Sequence, residues 1–188
     1  MHDPVIAETR AWVEQAVIGL NLCPFAKAPR VKGLVRYVAS TATQPQALLD
    51  SLVDELQRLA ATPTDQCETT LLIHPHVLGD FADYNDFLAL ADAAVQALGL
   101  DGVIQVASFH PRYRFAGVGA NALSNATNRS PYPMLHLLRE DSITRAVQAM
   151  PDPAAIYDAN VASLRRLGRA GWAALQARCR EDAARDGY

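Results

Sequence analysis

Three histidines stand where apolar runs end. His74 and His76 close "TTLLIHPH", and His110 closes "GVIQVASFH". Residues two apart on an extended chain point to the same side, so His74 and His76 face one way. With His110 they offer three imidazoles to a divalent transition metal such as zinc, leaving one position for water or substrate. The competing reading is that Pro75 and Pro111 end strands while the histidines bond loop carbonyls. Cys23, in "GLNLCPFAKAPR", precedes Pro24. As the cap of a short turn it would meet free amides, with Lys27 and Arg30 nearby, and these favour a thiolate. At the end of a helix, or buried as a plain hydrophobe, it would be inert. Cys67 and Cys179 lack such neighbours and read as structural. A Cys23/His110 pair suits acyl transfer or hydrolysis, with thiol as nucleophile and imidazole as base.

A third group lies in the polar stretch 111–130. Asn121, Asn125, Asn128 and Arg129 come just before Ser130-Pro131. If Ser130-Pro131 opens a helix, its free N–H groups beside the Arg129 fork make an anion site, with Arg112 and Lys27 adding positive charge. The alternative is that Asn and Ser serve turns and caps alone. His136 and Tyr132 face either the same cavity or the core.

These residues need elements to position them. Asp3-Pro4 reads as the start of a helix whose apolar positions run from Val5 to Leu20, with Pro24 stopping it just after Cys23. "LVRYVAS" (34–40) is a first strand. Pro45 opens a helix broken by Thr62-Pro63. Thr69 to His74 is a second strand, Asp80 caps a helix ending at Gly99, and "GVIQVASFH" is a third strand. Extra antiparallel strands have room in 112–123. "PYPMLHLLRE" reads as a helix opened by Ser130-Pro131, "ITRAVQAM" as another, and Asp152-Pro153 opens "AAIYDANVASLRRLG". Residues 169–188 continue as a C-terminal helical extension with a frayed end.

The alternation of strand and helix predicts an α/β fold: three layers, a small, mostly parallel sheet of three or more strands, helices on its faces and a helical C-terminal third. A ferredoxin-like α+β arrangement is the alternative. In a parallel sheet, ligands bind beyond the carboxyl ends of the strands, where His74, His76 and His110 would emerge together.

The 188 residues are half hydrophobic and carry a net charge of −3. That suits a single domain spanning 1–188 with one packed core. No basic stripe suggests nucleic acid, and no apolar stretch approaches a membrane span. An odd number of scattered cysteines and an acidic, amphipathic N-terminus point to a reduced, cytoplasmic setting. No Walker loop, GxGxxG, HExxH, GxSxG or CxxC is present.

The blocks "GLNLCPFAKAP", "HPHVLGDFADYNDFL", "VASFHPRYRFAG" and "NRSPYPMLHLLRE" resemble an uncharacterised, mainly bacterial domain-of-unknown-function family along nearly the whole chain. The resemblance brings no activity or cofactor. The expectation from the residues is an enzyme, a hydrolase or transferase, acting on a small anionic molecule. Cys23, His110, His74 and Arg129 would converge in one pocket, with Asn128, Arg129, Arg112 and Lys27 binding the substrate's charge. A metal-assisted hydrolase or a non-catalytic metal-binding or interaction module using His74, His76 and His110 is the alternative.

Overall fold

The computed structural model describes residues 3–149, 152 and 155–186. Asp3 caps helix α1 (Pro4–Trp12) by accepting the Val5 amide, as the Asp-Pro pair predicts. The helix does not run on to Pro24. It widens into a π-helical segment, Val13–Ile18, and a turn follows in which Asn21 takes a left-handed φ of 53°. Then come α2 (Lys27–Val31), β1 (Val35–Ala39), α3 (Pro45–Ala61), β2 (Thr69–Ile73), α4 (Phe81–Ala97) and β3 (Ile104–Phe109). A 3-10 helix (Leu123–Asn128), β4 (Met134–Arg139), α5 (Glu140–Gln148) and α6 (Ala155–Asp186) complete the order. Gly168, with φ 69°, kinks α6. The expected helix start at Pro153 and the frayed end at 187–188 lie outside the described residues. Among the described residues no helix is long and apolar enough to cross a membrane.

The sheet order is β1-β2-β4-β3. Strands β1 and β2 pair parallel, but β4 pairs antiparallel with both β2 and β3. Two pairings of three are thus antiparallel, which corrects the expectation of a mostly parallel sheet. The parallel β1–β2 pair also sets it apart from the all-antiparallel ferredoxin-like alternative. The cause is "PMLHLLRE", expected as a helix and found as a strand. Both faces of β4 are covered, so the polar alternation of a half-exposed strand is absent and the apolar run reads like a helix. The segment 112–123, where extra strands had room, forms turns instead. Because β4 is inserted against them, β1, β2 and β3 still run in one direction.

Side-chain alternation divides the core in two. Leu72, Leu135 and Leu137 pack with α3 and α4. Leu71, Ile73 and Met134 pack on the other face with α1, its π-helical extension and α6. Buried Tyr84 fastens α4 to the sheet: its hydroxyl donates to the Met134 carbonyl at 2.9 Å and accepts the Phe109 amide at 3.0 Å. Replacing Tyr84 with Phe leaves both backbone groups unsatisfied and should lower stability by about 1–3 kcal/mol in denaturant unfolding. A change within a few tenths of a kcal/mol would show that the hydroxyl is dispensable.

Candidate functional site

The sheet separates residues expected from the sequence to converge in one pocket. His74 and His110 lie on the α4 face, in an aromatic cluster with Phe81, Tyr84 and Tyr113. The His110 and Tyr84 rings are 5.1 Å apart, and His74 stacks on Tyr84 at 5.8 Å. Both histidines are buried, and each bonds the loop that follows β2. His110 Nδ1 accepts the Arg112 amide at 2.9 Å, so its proton is on Nε2 and is donated to the Leu78 carbonyl at 3.2 Å. That bond helps hold Leu78 at a φ of 56°, a conformation bulky residues avoid. His74 Nδ1 lies 3.1 Å from the Val77 carbonyl, while its Nε2 has no partner among the described residues.

His76 is exposed and turned to solvent. Among the described residues no group of three or more His, Cys, Asp or Glu side chains is placed to hold a metal ion, so His74, His76 and His110 do not assemble as the expected triad. His74 Nδ1 and both ring nitrogens of His110 serve the loop because Pro75 and the left-handed Leu78 turn the chain back within hydrogen-bond reach.

The expected anion clamp is likewise structural. Arg129 donates from Nε to the Tyr113 carbonyl at 3.2 Å and from Nη2 to the Ala120 carbonyl at 2.7 Å. Asn128 Nδ2 donates to the Ser108 carbonyl at 3.1 Å. Arg112 bonds the Gly79 carbonyl and lies 3.5 Å from Asp80. The helix that would have supplied free amides at Ser130-Pro131 is the lead-in to β4. Fully buried Asn125 completes the loop, accepting the Phe115 amide at 3.1 Å and donating to the Gly119 carbonyl at 2.9 Å.

Across the sheet, Cys23 lines a cavity of about 460 Å³. Trp12, Val13 and Val17 form one wall, Cys23 to Ala26 and Pro29 another. The floor is the sheet itself, through Thr69, Leu71, Ala107, Phe109 and His136. Helix α5, through Ile143 and Ala146, and its C-cap Ala149 close the fourth side, although none of the helix's residues is buried. Trp12 meets Phe109 edge-on at 5.6 Å, and Phe109 meets His136 at 6.0 Å. Asn160 of α6 holds the Cys23 segment, donating to the Leu22 carbonyl at 2.8 Å. Cys23 and His110 therefore do not form a pair. Lys27 is exposed and points no charge into the cavity wall, which passes through Ala26 and Ala28.

The polar part of the floor is a Thr69–His136 pair. Thr69 Oγ1 donates its single proton to the Leu137 carbonyl at 2.7 Å, so it accepts from His136 Nε2, also at 2.7 Å. His136 Nδ1 is then an acceptor, with no hydrogen-bond partner among the described residues. Burial pushes its pKa down to about 4, which keeps the ring neutral at pH 7. Burial raises the Cys23 thiol, outweighing the Phe25 and Ala26 amides that bond it. The turn-cap geometry foreseen for Cys23 is present, but desolvation decides its protonation and the thiol stays neutral. The sequence leaves His136 open between cavity and core and gives no sign of Thr69 as its partner. Their signal was a polar pair on two strands that only a β reading of "MLHLLR" brings into register.

His74 is also lowered to about 4, first by burial. The folded chain holds these imidazoles neutral while the unfolded chain, near 6.5, protonates them. Stability is therefore complete above about pH 6.5 and falls as pH drops toward 4, by about 1.4 kcal/mol per pH unit for each group. Unfolding midpoints measured across this window should decline, and His74→Gln should flatten the slope. A flat wild-type profile would contradict the burial of both rings.

No curated protein and no solved structure matches the chain significantly. Residues 4–174 match the family described as "Protein of unknown function (DUF1415)", and the chain belongs to that family.

Proposed function

We propose that the chain binds a small, largely apolar molecule in the cavity between the sheet, α1 and α5, with neutral His136 accepting a hydrogen bond from it. The observation that carries this reading is the cavity floor, where Thr69 fixes one ring nitrogen of His136 and leaves the other as an acceptor among apolar walls. A volume of about 460 Å³ falls in the usual range for small-molecule sites. Of the charged lining residues, Arg139 has its guanidinium committed to the carbonyls of Leu59, Thr62 and Cys67. Glu68 adds an acid to the wall. The cavity therefore favours a neutral donor over the anion expected from the sequence.

Cys23 supports a second reading of the same site, covalent chemistry at its thiol. In this arrangement the imidazole available as base is His136, which lines the same cavity, and not His110. A neutral thiol lining the same cavity as a neutral imidazole would react by passing its proton to the imidazole during attack, as acyl transfer or hydrolysis requires.

Naphthol, an aromatic body with one donor, should bind and quench Trp12 fluorescence, whereas naphthalene should bind at least several-fold more weakly. Ala107→Trp, which fills the floor, should abolish both signals. Equal affinity for naphthol and naphthalene would remove His136 from recognition, and unchanged binding in Ala107→Trp would remove the cavity. Bound naphthol should also slow alkylation of Cys23 by iodoacetamide, followed by mass spectrometry. An unchanged rate would place the thiol away from the ligand.

A further inference from the structure

Beyond the cavity wall, along β1, a second group of side chains has chemistry of its own. The Arg10 guanidinium lies over the Tyr37 ring, 5.1 Å from its centroid. Arg30, on α2, forms an ion pair with Glu14 of the π-helical segment. Four elements thus bring two guanidinium groups, one carboxylate and one phenol together. Nε of Arg10, Nε of Arg30 and the Tyr37 hydroxyl are all buried, and none has a hydrogen-bond partner among the described residues. No carboxylate of the described residues is within ion-pair distance of Arg10. Each unsatisfied buried donor carries a desolvation penalty, and three in one place is a concentration that packing alone does not explain.

We propose that Arg10, Arg30 and Tyr37 form a binding site for a compact oxyanion, a phosphate or carboxylate group. Two guanidinium groups outweigh the one carboxylate, which leaves the cluster net positive. Guanidinium Nε–H and phenolic O–H groups are the donors that oxygen-rich anions take. Burial pushes the Tyr37 hydroxyl up to about 12, against the pull of Arg30 and Arg10, so it keeps its proton at neutral pH and serves as a donor. Glu14 is the built-in competitor, since it holds one side of Arg30. The site stands apart from the ligand reading of the cavity, although Val13, Pro29 and Val35 in the cavity wall are close neighbours of its residues in the chain.

Nitrogen-15 NMR of arginine Nε–H groups in the full chain tests the assignment, with chloride at matched ionic strength as the control. Inorganic phosphate should shift two Nε–H signals, and those signals should vanish in Arg10→Gln and Arg30→Gln respectively. Tyr37→Phe should weaken phosphate about tenfold or more. Glu14→Gln should strengthen it, because the ion no longer competes for Arg30, and this variant keeps the test decisive if an arginine variant fails to fold. Phenyl phosphate is run in parallel. A response to inorganic phosphate marks a free-ion site, and a response to phenyl phosphate alone marks the charged end of a larger ligand. Silence toward both ions in the wild type and in Glu14→Gln would overturn the proposal. Naphthol binding is read separately, so loss of one result leaves the other standing.

Discussion

Met134–Arg139 is hydrogen-bonded along both edges, to β2 on one side and to β3 on the other, and is covered on both faces. A buried strand must pair all its backbone groups, because each one left unpaired would carry a desolvation penalty. By filling the gap between β2 and β3, β4 decides much else. Its Met134 carbonyl receives the Tyr84 hydroxyl, which anchors α4. Its alternation sends Leu135 and Leu137 to one core and Met134 and His136 to the other face. In register with Leu71 and Ala107, His136 becomes the polar centre of the cavity floor.

The same alternation keeps two kinds of histidine apart. His74 and His110 sit at the ends of strands, where ring nitrogens meet loop carbonyls and brace a turn strained at Leu78. Both ring nitrogens of His110 are taken up by the loop, whereas His74 bonds it through Nδ1 alone and keeps Nε2 without a partner among the described residues. His136 sits inside a strand, where the ladder uses only the backbone and the side chain meets Thr69 and open space. Burial lowers the pKa of all three, so a depressed pKa alone does not tell a brace from a binding group. The partners of each nitrogen do.

Helix α5 is the weakest wall of the cavity. Its apolar side faces inward, yet none of its residues is buried, and its packing runs mainly to β4. The opposite wall is firmer, since Trp12 is buried and Asn160 ties the Cys23 segment to α6. The widening of α1 into a π-helical segment at Val13–Ile18 lies on this firm wall. Such segments recur at functional sites because they redirect side chains without ending the helix.

Several elements were legible in the residues alone. Asp3-Pro4, Pro45 and Asp80 start helices for local reasons, and Thr62-Pro63 and Gly99 end them for local reasons, so caps and breakers sufficed. The three β-rich runs were clear for the same cause. "PMLHLLRE" was not, because a short apolar run buried on both faces carries no periodicity. Its length and flanking prolines were the available clue. The site followed that error. Cys23, His74, His110 and Arg129 are all visible as reactive types, but which face of the sheet each occupies depends on pairing between segments far apart in the chain. The sequence by itself determined the longer helices at Pro45 and Asp80, the start of the first helix, three of the strands and the inventory of polar side chains, all set by interactions within a few residues. Only the tertiary structure decided that β4 enters the sheet and that Cys23 shares a cavity with His136 while His110 lies behind the sheet. Register and burial are properties of long-range pairing, and no local pattern encodes them.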